Sequence, residues 1–496
     1  MDINKFEEYA KHYNKIPVYE IITGDLLTPV LAYLKIKKNN SFSFLLESVE
    51  GIGRLARYSF ISKNPSKIFF NTGNNITVIE KGKIVKSEQN IFDFLSNEIS
   101  KTKDPKIDEL PDFTGGIVGF IGYENVSLIE NVIQFTSENK NNIPDSIFGV
   151  YDLLIAFDHF KHQIILIKNV DVDDSKDVDK LFYLAKDELK KLRNELYAPL
   201  NPELNFKSSS PVEINEKETF FELVEKCKQN ILAGDVFQIV LSKRFYSEYE
   251  GDLINVYRAL RIINPSPYMY FMEFPENEFF DELTVIGTSP EDLLKVKNKR
   301  ATILPIAGTR RRGKTIDEDL LIEKELLNDP KEYAEHTMLV DLARNDLGRV
   351  CKAGSVELTE EMTIHRFSHV MHIVSRVEGN LSDDKNCIDA LKASFPAGTV
   401  SGAPKIRAIQ LLNEYENLRR NIYAGAVGYI DFKGNLDMCI SIRTFFANEK
   451  NIFWQAGAGI VADSKPELEL KEIKNKSAVL VNALKFAEVI DENISD

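Results

Sequence analysis

The chain has 496 residues, 43% hydrophobic and 28% charged, an ordinary soluble composition too long for one typical core, so two domains or one large elaborated domain are expected. With 62 basic against 76 acidic side chains the net charge is −14, which argues against nucleic acid or an anionic membrane as the main partner; an anionic substrate then needs local cations or a metal. Cys227, Cys351, Cys387 and Cys439 form no CxxC or zinc spacing, the N-terminal MDINKFEEYAKHYNK has no apolar signal core, and no apolar run reaches membrane-spanning length, so a reduced, cytoplasmic setting is expected.

In chain order, FSFLLES (42–48) and RYSFIS (57–62) predict strands, and GGIVGFIGY (115–123) a strand with close backbone approach. Residues 151–170 alternate as a hairpin, and the leucine spacing of 174–196 predicts a helix. PLNPELNFKSSSP (199–211) has linker composition and divides the chain into 1–200 and 212–490. Beyond it, helices are predicted at 217–233, 317–329, 331–346, 386–394, 405–416 and 466–489. Strands are predicted at 236–243, 268–274, 284–288, 424–431 and 438–447.

Glu332 and Glu335 sit three apart, on one face of the predicted helix 331–346. Glu469 and Glu472 repeat the spacing near the C-terminus, where Ser464 and Glu467 have the form of a capping box with Pro466 in the first turn. Two helices can thus aim four carboxylates at one hard cation such as Mg²⁺, though either pair alone also reads as solvated helix surface. PAGTVSGAPK (396–405) sets Thr399, Ser401 and Lys405 among small residues before a helix, either an anion cradle or an ordinary turn. GAGIVA (457–462) meets the loose dinucleotide pattern, but no helix opens on its glycines, so Gly457 and Gly459 instead suit close substrate approach. Arg443, in the strand pattern SIRTFF, needs either a substrate carboxylate or a salt-bridge partner. His372 in VMHIVSRV is a core histidine or an acid–base group, and Glu291 a first-turn helix charge or a general acid.

PIAGTRRRG (305–313), EYAEHTMLVDLARNDLGRV (332–350), PAGTVSGAPK (396–405), YAGAVGY (423–429), SIRT (441–444) and QAGAGIVADSKPELELKEIKNK (455–476), with LLES (45–48) and GGIVGFIGYE (115–124), together resemble the chorismate-utilising enzymes. The resemblance implies an α/β chain of the α+β type, with two large, mainly antiparallel sheets packed as a sandwich among helices. It also implies regulation and tryptophan binding in 1–200, intertwined with chorismate chemistry in 212–490. Within the family, water-using members carry a lysine where this chain has Gln238, and aminodeoxychorismate synthases carry one where it has Ala307. What remains resembles the large component of anthranilate synthases, in which ammonia attacks chorismate and pyruvate leaves. Aminodeoxychorismate synthase component I is the alternative, and a catalytically idle tryptophan-sensing subunit is the alternative from another class.

By that resemblance Mg²⁺ is held by Glu335 and Glu472, with Glu332 and Glu469 in an outer shell, and grips the ring carboxylate. Arg443, Tyr423 and the Gly457–Ala458–Gly459 backbone take the enolpyruvyl carboxylate, while Gly308, Thr309 and Thr399 line the ring. Glu291 is the general acid and His372 serves the elimination. With no amidotransferase extension in the sequence, a separate glutamine amidotransferase subunit is expected to supply ammonia in a hetero-oligomer. Feedback binding of L-tryptophan maps to Glu47, Ser48, Pro267, Tyr268, Met269, Val427, Tyr429 and Cys439, with Arg57 nearby. Arg311 departs from the family's proline in GTRPRG.

Overall fold

The computed structural model describes all residues except 39, 49–56, 136, 138, 140, 141, 174–176, 215–217, 367–369 and 493–496. The predicted helix starts at Asp174 and Lys217 lie outside the described residues; their helices run Val178–Tyr197 and Phe220–Leu232. Two large sheets, one of 13 strands and one of 12, carry the fold, and their described pairings are antiparallel. Both sheets take strands from both halves of the sequence. In the first, Ser43–Glu47 pairs with Tyr268–Phe274; in the second, Gly116–Ile121 pairs with Ala426–Asp431.

The sheets face each other across an apolar layer, with Phe44, Leu154, Tyr270, Met272 and Phe446 on one side and Phe120, Ile147, Val427 and Cys439 on the other. Their outer faces are covered by helices. Leu45, Phe271, Ile286 and Trp454 pack under Tyr33, Leu189, Tyr257 and Leu480, and Ile117, Leu294, Val377 and Met438 under Phe92, Val340, Leu391 and Ile409. Successive side chains of a strand point to opposite faces, so neighbours such as Phe44 and Leu45, or Phe271 and Met272, enter different cores. Strands buried on both faces therefore read as continuous apolar runs rather than alternating ones. No described helix is long and apolar enough to cross a membrane.

Several elements match their predictions closely, Tyr268–Phe274 and Pro466–Val489 among them. The predicted strand 438–447 does not exist as one element. Leu436–Ile440 belongs to the second sheet and Thr444–Asn448 to the first, and the chain crosses between them at Ser441–Arg443, where Arg443 takes a left-handed φ of 51°. The apolar residues on either side enter different cores, and the polar Ser441, Arg443 and Thr444 between them mark the crossing, which the apolar flanks disguise as one strand. The Ser464–Glu467 capping box is likewise absent: the N-cap is Lys465, without a side-chain cap, and Ser464 Oγ accepts the Val461 amide at 3.0 Å. The 199–211 segment includes a short strand, Phe206–Ser208, paired with Tyr249–Gly251.

Candidate active site

A cavity of about 590 Å³ opens where the first sheet, the edge of the second and two helices meet. One wall is the helix Pro330–Gly348, started by Asp329, whose carboxylate accepts the Lys331 and Glu332 amides at 3.0 and 3.4 Å, with Pro330 in the first turn. That start sets Glu332 and Glu335 on the cavity face. The helix Pro466–Val489 brings Glu469, Glu472 and Lys476 to the same cavity. Burial raises the Glu335 carboxyl above its ordinary value, and the negative charges of Glu332 and Glu472 add to it, so the two helices face each other electrostatically. Glu332 is held by Arg310 at 3.1 Å and Glu472 by Lys476 at 2.7 Å, whereas Glu335 has no ion-pair partner among the described residues. No group of three acidic, histidine or cysteine side chains among the described residues is clustered tightly enough to hold a metal as it stands.

The floor is the end of Asn451–Ile460, where Gly457 and Gly459 line the cavity. A Cβ at Gly457 would lie 2.7 Å from the Tyr423 hydroxyl, so only glycine lets the two meet. Ala458 points the other way, into the helix-covered core, and can reach the cavity only through its main chain. Tyr423 is fixed from beneath by Arg420, 2% exposed in its side chain, which pairs with Glu416 at 2.6 Å and donates to the Val400 and Val240 carbonyls at 2.7 and 2.8 Å. Burial pushes the Tyr423 hydroxyl up to about 12, so it stays a donor at neutral pH.

Arg443 lines this cavity at the crossing between the sheets. Burial holds its guanidinium below the ordinary value, and no carboxylate partner stands beside it among the described residues. Glu291 sits between the strands Leu283–Ser289 and Asp292–Lys297, and burial pushes its carboxyl up to about 7. Gly308, at a left-handed φ of 63°, is the irregularity in the pairing of Ile306–Arg311 with Val370–Asn380 and brings Thr309 to the cavity. His372 lies one layer behind: its Nδ1 is 3.0 Å from the Gly308 carbonyl and 3.1 Å from Thr309 Oγ1, and burial lowers its basicity. Of the Pro396–Lys405 loop, Thr399 and Val400 reach the cavity. Lys405 pairs with Asp346 at 2.9 Å, and Ser401 Oγ donates to the Ala397 carbonyl at 2.8 Å, so these two anchor the loop and are not an anion cradle.

A second cavity, of about 740 Å³, lies between the sheets and is lined by Glu47, Ser48, Arg57, Tyr58, Phe60, Pro267, Tyr268, Met269, Val427, Tyr429 and Cys439. Glu47 is held by Tyr257 at 2.6 Å and Arg261 at 3.1 Å, Arg57 pairs with Asp158 at 2.9 Å, and Tyr268 donates to Asp437 at 2.7 Å. The cavities share one wall: Glu291 faces the first, while Pro290 and Asp292 line the second.

A family model described as chorismate binding enzyme matches residues 50–482. The chain belongs to the chorismate binding enzymes. The anthranilate synthase component 1 of Aquifex aeolicus is 43% identical to it over 99% of each chain. The crystal structure of anthranilate synthase component I from Streptococcus pneumoniae superposes with a TM-score of 0.72 at 37% identity, covering 93% of this chain and 99% of that one. The menaquinone-specific isochorismate synthase of Escherichia coli shares the fold, with a TM-score of 0.69 at 18% identity, covering 97% of this chain and 98% of that one.

In this chorismate binding enzyme the first cavity gathers Glu291, Gly308, Thr309, Glu332, Glu335, Thr399, Tyr423, Arg443, Gly457, Gly459, Glu469 and Glu472, leaving His372 and the Ala458 side chain outside its lining. Sequence reasoning missed Lys331, Gln455, Ser464 and Lys476 as lining residues and Arg420 as the support under Tyr423. The Glu416–Arg420 spacing was the one visible signal for the latter. In the second cavity it missed Asp292, Lys295, Arg376 and Asp437.

Proposed function

We propose that this enzyme aminates chorismate with ammonia in a Mg²⁺-dependent reaction and eliminates pyruvate to form anthranilate, the first step of tryptophan biosynthesis. The carrying observation is that the Arg443 guanidinium and the Glu335 carboxyl line one cavity, neither with an ion-pair partner among the described residues. A buried charge without a partner is costly, and a ligand with two carboxylates together with a divalent cation satisfies both. The all-oxygen donors and mutual repulsion of Glu335, Glu332 and Glu472 fit a hard cation. Glu335 and Glu472 would hold Mg²⁺, with Glu332 and Glu469 as outer partners, and the bound ion neutralises and orients the ring carboxylate.

Arg443 and Tyr423 take the enolpyruvyl carboxylate, with the backbone of 457–459 beside it, and Gly308, Thr309 and Thr399 border the ring. Ammonia bonds to ring C2, the double bonds shift, and the C4 hydroxyl leaves as water on receiving the proton of Glu291, whose raised carboxyl retains one near neutrality. Loss of the C2 proton and cleavage of the C3–O bond then release pyruvate and leave an aromatic ring, with His372 assigned to this second step. Gln238 lines the cavity as a neutral amide unable to activate water, and Ala307 offers no amine nucleophile, which favours free ammonia. A glutamine amidotransferase subunit is the proposed source of that ammonia.

The second cavity is proposed to bind L-tryptophan as feedback inhibitor. Its aromatic and apolar walls suit an indole, and Glu47, Lys295, Arg376 and Asp437 supply charges for an amino acid. Residues 1–200 are assigned to regulation and 212–490 to catalysis, interleaved through the shared sheets.

The test is incubation with chorismate, Mg²⁺ and ammonium. Anthranilate fluorescence with equimolar pyruvate is expected. An accumulating amino-deoxychorismate without pyruvate would assign the aminodeoxychorismate reaction, and tryptophan binding without turnover an idle sensor.

A further inference from the structure

We infer that Lys476 is a built-in competitor for the divalent cation: it neutralises Glu472 in the free enzyme, and entry of the dianionic substrate draws it off, so that metal and substrate bind cooperatively. The inference rests on the metal reading above. Lys476 Nζ lies 2.7 Å from Glu472 Oε1 and donates to the Gly457 carbonyl at 3.0 Å, so it spans the carboxylate wall and the floor of the cavity. Glu472 and Lys476 are four apart on one helix, the orientation in which such a pair forms most readily.

A divalent cation at Glu472 must displace this ammonium and then lie beside it, which opposes binding to the free enzyme. An entering carboxylate offers the ammonium a new partner at the same cavity face and releases Glu472. Reciprocity then requires each ligand to tighten the other by the same factor. The cation on the opposite wall is differently placed. Arg310, on the strand Ile306–Arg311, holds Glu332 at 3.1 Å but also Asp329 at 2.9 Å and Glu325 at 3.5 Å, so three carboxylates around the start of the helix Pro330–Gly348 anchor it. Among the described residues Lys476 makes one ion pair, to Glu472, and one hydrogen bond to a carbonyl, and both members of the pair are nearly half exposed, at 43% and 47%, so the pair is weak enough to exchange.

The experiment titrates Mn²⁺ into the full chain by electron paramagnetic resonance, without and with chorismate, in ammonia-free buffer so that no turnover intrudes. In the parent enzyme chorismate should tighten Mn²⁺ binding. Lys476→Met should bind Mn²⁺ without chorismate about fivefold more tightly, the upper end for an ion pair of this exposure. Its gain from chorismate should shrink accordingly, while Lys476→Arg should behave as the parent. Glu335→Gln separates the two ideas. If it abolishes Mn²⁺ binding while Lys476→Met binds no more tightly than the parent, the competitor is refuted and the metal site stands. If Glu335→Gln leaves Mn²⁺ binding intact, the metal site and the competitor fall together.

Discussion

Replacing Arg443 with methionine should separate stability from catalysis. The guanidinium lines the first cavity with no carboxylate beside it among the described residues, at a backbone position with φ 51° that methionine would occupy equally badly. Removing an unpaired charge from the interior is favourable; because Arg443 faces a cavity rather than a sealed core, the gain is about 1 kcal/mol or less. A substrate carboxylate that loses a paired guanidinium loses about 3 kcal/mol, or about 150-fold in kcat/KM. Arg443→Lys should recover only part of this, since an ammonium cannot form the two parallel hydrogen bonds of a guanidinium. Anthranilate fluorescence against chorismate concentration measures the kinetic loss, and urea unfolding measures the stability. A variant that unfolds more easily while keeping its kcat/KM would make Arg443 a structural residue and refute the assignment.

Glu335→Gln should abolish Mg²⁺-dependent turnover and leave the fold intact, because it removes a carboxylate that repels Glu332 and Glu472; a Mg²⁺ titration of activity with circular dichroism checks both. Ser48→Phe, in the wall of the second cavity, should keep turnover and lose tryptophan inhibition, and normal inhibition of that variant would sink the regulatory assignment. As the proposed general acid Glu291 would act in its protonated form, and burial lifts its carboxyl to about 7, so at constant free ammonia kcat should fall as pH rises through about 7. Glu291→Gln should remove that limb together with most of the rate, and a persisting limb would move the acid elsewhere. Arg420→Met should cost about 3–5 kcal/mol by leaving Glu416 buried without its partner, read as a lowered urea midpoint.

Much of the fold was legible in the residues. The order of long motifs pointed to the chorismate-utilising enzymes, and hydrophobic spacing located strands such as Tyr268–Phe274 and helices such as Pro466–Val489 because their buried faces follow one period. Where a segment serves two cores, that signal fails. The 438–447 segment is apolar at both ends, yet the chain changes sheets at Ser441–Arg443 between them, and Arg443 stands at the turn rather than on a strand. Local hydrogen-bonding residues misled for a related reason. Ser464 has the spacing of a cap and Lys405 the look of an anion ligand, but each meets a closer partner, the Val461 amide and the Asp346 carboxylate.

Residue identity by itself determined four glutamates in two pairs and an arginine in need of an anion, and the family resemblance added a glutamine and an alanine where other members carry a lysine. Only the tertiary structure decided which of these groups share a space and that Glu332 is already neutralised by Arg310, while Glu335 and Arg443 have no ion-pair partner among the described residues; the Glu472–Lys476 pair is local to one helix. The reason is one of range. Spacing along a helix or strand governs neighbours within a few residues, whereas the charge environment of a side chain is set within several ångströms by segments that lie far apart in the chain and meet only when both sheets close on one another.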